Sequence, residues 1–322
     1  MEDSQEEAPE EEVVSIKSDR MKVRIYTLLI ILILITACSR TRQDNELGSA
    51  FDVIEEPSEI FVELKDNDKH ETVPDEAAEE VHIEKDIEID IESLLAKYAG
   101  VKPIQWGDRI DGMKSKLGTD ERIVSLTFDA CGGSESANGY DEKIIEYLRK
   151  ENIPATLFVT KTWIETNTKV FKELASDPLF EIANHGSEHK PLSVVPNEAY
   201  GIDSTDSVKS CINEVMDSAL YIKDFTGLLP LKFRSGTAYA DDVSLKILDE
   251  LGMEFIGYDV AADAGATFNQ NEILEQFKTA EPGSIILMHF NHPESESYDG
   301  LVSGVEYLKS MGYEFCRLDA NR

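Results

Sequence analysis

Positive charge is scarce in this chain. Its 31 Lys and Arg face 64 Asp and Glu, and the formal net charge is −33. Nucleic-acid backbones are gripped by clustered Lys and Arg, so no nucleic-acid partner is expected. Attraction to anionic lipid headgroups is disfavoured on the same ground. Cysteine is sparse as well: Cys38, Cys131, Cys211 and Cys316 match no zinc-ribbon or CxxC spacing. Cys38 has its own reading below. The other three permit at most one intrachain disulfide, with no signal for which pair, and buried thiols are the simpler expectation. Long apolar runs are lacking but for one, residues 25–37, which is too short for a comfortable membrane-spanning helix. Only six histidines occur, and four of them sit in two places: His185 with His189, and His289 with His292.

The acidic surplus is uneven. Residues 1–20 hold 8 acidic against 2 basic side chains, and residues 44–95 hold 19 against 3. Both stretches are too charged and too poor in aromatics to bury a core. Residues 1–20 read as an acidic extension, with Met21 as an alternative start. Residues 21–38 join a basic lead, Met21-Lys22-Val23-Arg24, to the apolar run, as a signal segment does. The end of that segment, Ile35-Thr36-Ala37-Cys38, resembles the bacterial lipobox, which implies cleavage before Cys38 and lipidation of its thiol. An uncleaved membrane anchor through 25–37 is the competing reading. Either makes the membrane a partner and places the remaining chain outside the cytoplasm, on the outer face of a bacterial membrane in the cell envelope. Residues 39–95 read as an acidic tether extended by its own repulsion, although Ile87 to Glu92 alternates apolar and acidic residues at a strand-like period. Residues 96–119 form a transition segment with Trp106 as a candidate anchor. Residues 120–322 are the foldable domain, expected to be a monomer.

Beyond Arg122 the pattern is regular. Strand-like apolar runs occur at 123–128, 155–159, 180–182, 232–233, 255–258, 285–288 and 313–316. Helix-like segments fall between them at 141–151, 163–175, 207–225, 242–251, 271–280 and 298–311. Strand and helix alternate about seven times, which predicts a parallel α/β architecture. Polar residues follow the strand ends: Asp129, His185, Arg234, Asp259 or Asp263, and His289. In a barrel those ends converge on one face, where barrel enzymes hold their sites.

The segment His185-Gly186-Ser187-Glu188-His189 puts two imidazoles four residues apart. On a helical turn they share a face and can reach one divalent cation of the zinc type. Five stretches then stand in order: Leu126-Thr127-Phe128-Asp129-Ala130-Cys131-Gly132-Gly133, Asn184 to His189, Phe233-Arg234-Ser235-Gly236-Thr237, Tyr258-Asp259-Val260-Ala261-Ala262-Asp263, and Ile286-Leu287-Met288-His289. Their order and spacing over residues 120–322 resemble the polysaccharide deacetylase family, the NodB homology domain of carbohydrate esterase family 4. That resemblance implies a distorted (β/α) barrel of about seven parallel strands. It implies removal of N-acetyl or O-acetyl groups from a polysaccharide, with a divalent metal of the zinc, cobalt or manganese type. It makes Asp129 the base, His289 the acid, and His185 and His189 metal ligands. Arg234 would orient Asp129, and Asp263 would keep His289 protonated. Backbone N–H groups after Arg234 would meet the oxyanion.

The sequence also departs from that pattern. The carboxylate that usually follows the base and completes the metal site is Ala130 here. Glu188 and Asp141 are candidates to replace it; two histidines with water, a metal-free site and a catalytically dead site are the other possibilities. Asp259 competes with Asp263. Cys131 reads more simply as a packed thiol than as a reactive one, and His292 as structural or at the rim of a cleft. The substrate class implied by the family and the surface location is an N-acetylglucosamine polymer such as peptidoglycan. A carbohydrate-binding protein without turnover, and an amidohydrolase acting on a small molecule, are the rival readings.

Overall fold

A computed structural model describes residues 90–319. The acidic extension, the signal or anchor segment with Cys38, and all of the expected tether up to residue 89 lie outside the described residues. Among the described residues no helix is long and apolar enough to cross a membrane.

In chain order the elements are α1 (Ile91–Tyr98), β1 (Trp106–Gly107), β2 (Ile123–Ala130), α2 (Glu142–Lys150), β3 (Ala155–Val159), α3 (Lys161–Thr166), α4 (Thr168–Ala175) and β4 (Phe180–Asn184). They continue through β5 (Glu198–Ala199), β6 (Ile202–Asp203), α5 (Val208–Thr226), β7 (Lys232–Phe233), β8 (Ala240–Asp241), α6 (Asp242–Glu250), β9 (Glu254–Phe255) and β10 (Val260–Ala261). The last are α7 (Gln270–Phe277), β11 (Ile285–His289), α8 (Ser297–Ser310) and β12 (Glu314–Phe315). Six of the seven expected strands lie within two residues of their predicted bounds. The run at 255–258 gives only β9 before the chain turns, and β10 was not anticipated. The helix expected at 163–175 is two helices, broken at Asn167.

The sheet runs β10–β11–β2–β3–β4–β7–β9, and all seven strands are parallel. It curls into a distorted (β/α) barrel, as expected. β12 pairs with the start of β2, ahead of the point where β11 takes over. The two sheet edges are bridged by the transition segment: Lys114 pairs with Ile256 and Lys116 with Ser284. Trp106 anchors this segment through β1, which pairs with β8, and through a ring contact with Tyr239 at 5.6 Å.

α1 begins within the stretch read as an acidic tether, whose end alternates at a strand-like period. Asp90 accepts the Ser93 N–H at 3.0 Å and caps the helix, and Leu94 and Tyr98 at helical spacing bury themselves in an apolar cluster with α5 and α6. The last residues of the expected tether are therefore packed on the domain.

Successive residues of β2 point to opposite sides of the sheet. Val124, Leu126, Phe128 and Ala130 join a cluster with Ile144, Trp163, Phe277 and Phe290 under the helices. Phe158, Ala183, Ile256 and Ile285 fill the inner side. This packing fixes which side chains at the strand ends are free to face the interior. The helices are stopped and started by matching caps: Asp241 caps α6, and Asn269 with Glu272 closes a capping box on α7.

Candidate active site

Thr127 and Asp129 of β2, and Cys131 just beyond its end, each meet the site. Asp129 is 3 % exposed. Its Oδ1 accepts from Arg234 Nη1 at 2.7 Å, and its Oδ2 lies 3.5 Å from His185 Nε2. Arg234 follows β7 and is fully buried. Its Nε donates to the Ile256 carbonyl at 3.1 Å, and its Nη2 donates to Thr127 Oγ1 at 3.1 Å and the Gly257 carbonyl at 3.0 Å. The guanidinium also lies 4.2 Å from the centre of the Phe158 ring. A buried cation with this many acceptors is immobile, so the carboxylate it holds is immobile too. Burial pushes the Asp129 carboxyl up. The opposite charge of Arg234, with smaller help from His289, outweighs that and holds it below the usual carboxylate range.

His185 and His189 approach one another, but not on a helix. Residues 185–190 are an irregular bend after β4, with Gly186 at φ 88° and His189 at φ 60°. The two rings are 4.9 Å apart between centroids. The bend is wrapped around Glu214 of α5. Glu214 Oε1 accepts the N–H groups of Glu188 at 3.0 Å and Lys190 at 3.1 Å, and the Ser187 N–H donates to the Glu214 carbonyl at 3.0 Å. A side chain at Gly186 would run into the Glu214 carboxylate, and one at Gly236 would run into the His189 carbonyl. His185 Nδ1 donates to the Arg234 carbonyl at 2.8 Å, which leaves Nε2 with its lone pair toward the site. Burial lowers the pKa of His185, so the ring is held neutral.

His289 ends β11 directly opposite Asp129 in the ladder. Its Nδ1 donates to Asp263 Oδ1 at 2.8 Å, its backbone N–H donates to Asp263 Oδ2 at 2.7 Å, and Ser297 donates to the same oxygen at 3.0 Å. Burial works against the imidazolium, but the Asp263 carboxylate more than compensates and raises His289 well above its ordinary value. Asp259, the rival of Asp263, is elsewhere. It accepts from Ser284 Oγ at 2.7 Å and the Ile285 N–H at 2.8 Å, at the opposite end of β11.

Cys131 is not a packed thiol. Its Sγ lies 3.9 Å from His185 Nε2, and one ligand atom from each of Cys131, His185 and His189 lies within 4.8 Å of the others. Burial raises its pKa, but His189 and His289 outweigh this and bring the thiol to about 7. The two carboxylates expected to stand in for Ala130 are occupied. Glu188 pairs with Lys190 at 2.6 Å in the open, and Asp141 accepts the Lys143 N–H at 3.1 Å as the cap of α2. Two of the backbone N–H groups after Arg234 are also committed, Gly236 to the Lys190 carbonyl and Ala238 to the Ser235 carbonyl. Cys211 is the buried free thiol that composition led us to expect.

Asp129, Cys131, His189 and His289 open on one cleft of about 590 Å³, with Tyr200 and Tyr258 among its walls. His292 stands at its rim, its Nδ1 2.9 Å from Glu294. The structure thus brings all six sequence-predicted residues to one place. Residues 116–256 match a family model, polysaccharide deacetylase. The chain carries a polysaccharide deacetylase domain. Polysaccharide deacetylases are hydrolases acting on carbon–nitrogen bonds. The deacetylase domain is 26% identical over 211 residues to the peptidoglycan-N-acetylmuramic acid deacetylase PdaA of Bacillus subtilis, a match covering 62% of this chain and 72% of that one. The structure of PdaA superposes with a TM-score of 0.54 at 23% identity, over 71% of this chain and 87% of that one. A carbohydrate esterase family 4 pseudoenzyme from Bacillus anthracis gives a TM-score of 0.53 at 24% identity, over 63% of this chain and 67% of that one. A mutant of that pseudoenzyme, described as having restored enzymatic activity, is similar at 25% identity over 63% of this chain and 70% of that one, with a TM-score of 0.53.

Proposed function

We propose that this chain removes acetyl groups from an N-acetylated polysaccharide of the bacterial cell envelope, an N-acetylglucosamine polymer such as peptidoglycan. The observation that carries this is the pairing of two opposed proton-transfer groups on adjacent strands. Asp129 is kept ionised by Arg234, and His289 is kept protonated by Asp263, across one cleft. In amide hydrolysis one group must take a proton from water while the other gives a proton to the departing nitrogen. Asp129 fills the first role. As water oxygen bonds to the acetyl carbon, its proton passes to the Asp129 carboxylate. His289 then donates its Nε2 proton to the amine as the carbon–nitrogen bond breaks, leaving acetate and a free amino group. Arg234 and Asp263 touch neither partner; they set the charge and aim of the residues that do.

His185 and His189 would hold a divalent metal. The donor set fits one: two imidazoles side by side, with the Nε2 of His185 turned inward by its Nδ1–H bond to Arg234. When bound, such an ion polarises the acetyl carbonyl and acidifies water. Extracytoplasmic action follows from the expected signal or anchor segment at 21–38 and from the cell-wall substrate named for PdaA. Ala130 favours a second reading, a carbohydrate-binding protein without turnover.

The deciding assay is acetate release by the full chain from peptidoglycan and from acetylated chito-oligosaccharides, with and without added zinc or cobalt. Release is expected from the native chain and none from Asp129→Asn of unchanged circular dichroism. Saccharide binding without release by the native chain would overturn the catalytic reading in favour of the second.

A further inference from the structure

We propose that Cys131, His185 and His189 form a thiolate–bis-imidazole centre that takes soft or borderline divalent ions, zinc and cobalt, in preference to magnesium or manganese. This deepens the deacetylase reading and rests on it only for what the metal is used for. Binding itself does not.

Three observations converge on Cys131. The first is strand register: Ala130 is fully buried in the apolar cluster under the helices, and residue 131 is the next to face inward after Asp129. The second is proximity: among the described residues this is the one group of His, Cys and acidic side chains close enough to share an ion, its ligand atoms all within 4.8 Å. The third is that Glu188 and Asp141 are engaged elsewhere, while Asp129, held by Arg234 through Oδ1 and 3.5 Å from His185 Nε2 through Oδ2, falls outside that group. Gly132 supports the placement. It has φ 68°, and a side chain there would strike the Trp163 N–H and the hydroxyls of Thr160 and Thr162, so the turn that presents Cys131 is tightly set. Thr160 donates to the Cys131 carbonyl at 2.7 Å and pins the same turn from the other side.

A thiolate donor changes the choice of metal. Sulfur prefers zinc, cobalt and their softer neighbours, whereas carboxylate, carbonyl and water suit magnesium and manganese. Three protein donors with one position open is the arrangement of a catalytic zinc site.

The test is cobalt titration of the metal-stripped full chain. One equivalent should bind with a thiolate-to-cobalt charge-transfer band in the near ultraviolet, and should shield Cys131 from alkylation as mapped by mass spectrometry. Cys131→Ser should lose the band and weaken cobalt binding by more than the roughly 10- to 100-fold that loss of an outer-shell partner costs. Cys131→Asp, a second variant in case the serine chain does not fold, should bind cobalt without the band. Cobalt bound with no charge-transfer band in the native chain, or Cys131 alkylated equally with and without metal, would overturn the assignment. A native chain that shows the band and the protection yet releases no acetate keeps this centre and sinks the deacetylase reading instead.

Discussion

Glu214 should make the folded chain less stable as pH rises through the slightly acidic range. It is a carboxylic acid 5 % exposed on α5, with the histidine bend folded over it. Burial raises its pKa, and the N–H donors of Lys190 and Glu188 pull back only in part, leaving it at about 7. In the unfolded chain the group would titrate near its ordinary 4.5. Between those values the folded state holds a proton that the unfolded state has released, so stability falls as pH rises. The contribution is complete below 4.5 and gone above about 7. Each pH unit within the window is worth up to about 1.4 kcal/mol, so the whole fall is about 3 kcal/mol. Glu214→Gln removes the titration while keeping the size of the side chain. The measurement is urea unfolding followed by tryptophan fluorescence at several pH values from 4.5 to 7.5, with chelator present so that no metal exchanges its own protons. The native-minus-variant difference in unfolding free energy should fall by about 3 kcal/mol across that range. Parallel profiles would show that Glu214 is ionised throughout, and that its backbone donors outweigh its burial.

Two further outcomes follow from the same geometry. Asp263→Asn removes the carboxylate that opposes the burial of His289, so its pKa should drop and the alkaline limb of the pH–rate profile should move to lower pH; an unmoved limb would exclude His289 as the acid. Gly236→Ala puts a methyl group into the His189 carbonyl, and should cost about 1–3 kcal/mol in chemical denaturation and reduce retained zinc by elemental analysis; full stability with full metal content would show that the bend yields freely.

The fold was legible because its strands are nearly all buried. Runs such as Ile123 to Phe128 and Ala155 to Val159 are continuous and apolar, and the helices between them carry strong caps, as at Asp141 and Ser207. β10 escaped because two residues, Val260 and Ala261, carry no period of their own and pair only where β11 offers an edge. The start of α1 was read as the end of the tether because Ile87 to Glu92 is acidic at every second position, and its buried helical face shows only at Leu94 and Tyr98. At the site, Asp129, Arg234 and His289 were legible as polar residues at the ends of apolar runs. Asp263 could not be separated from Asp259 by sequence, since both follow the apolar run at 255–258 and β10, which lies between them, was not anticipated; only packing tells which meets His289. Glu214 left a usable signal. Cys211, Val215, Ser218, Ala219 and Ile222 mark the buried face of α5, and Glu214 is a charge on that face.

The substitution at residue 130 looks different once the register of β2 is known. A side chain there is directed by the pleat into the cluster of Ile144, Trp163 and Phe290, where an unpaired carboxylate would be costly to bury. Alanine is what that environment favours, and it leaves Phe128 and the helices packed. The donor within reach of both histidines stands at 131, where the strand ends and Gly132 turns the chain back past Thr160. The two positions are therefore coupled by geometry. A chain that kept alanine at 130 with an inert residue at 131 would be left with two histidines alone, whereas this chain presents sulfur to both of them. The imidazoles, the base and its arginine all stay in place around that sulfur. The departure from the family pattern thus reads as an exchange of one donor for another of softer character, and the metal the site selects is the property that distinguishes exchange from loss.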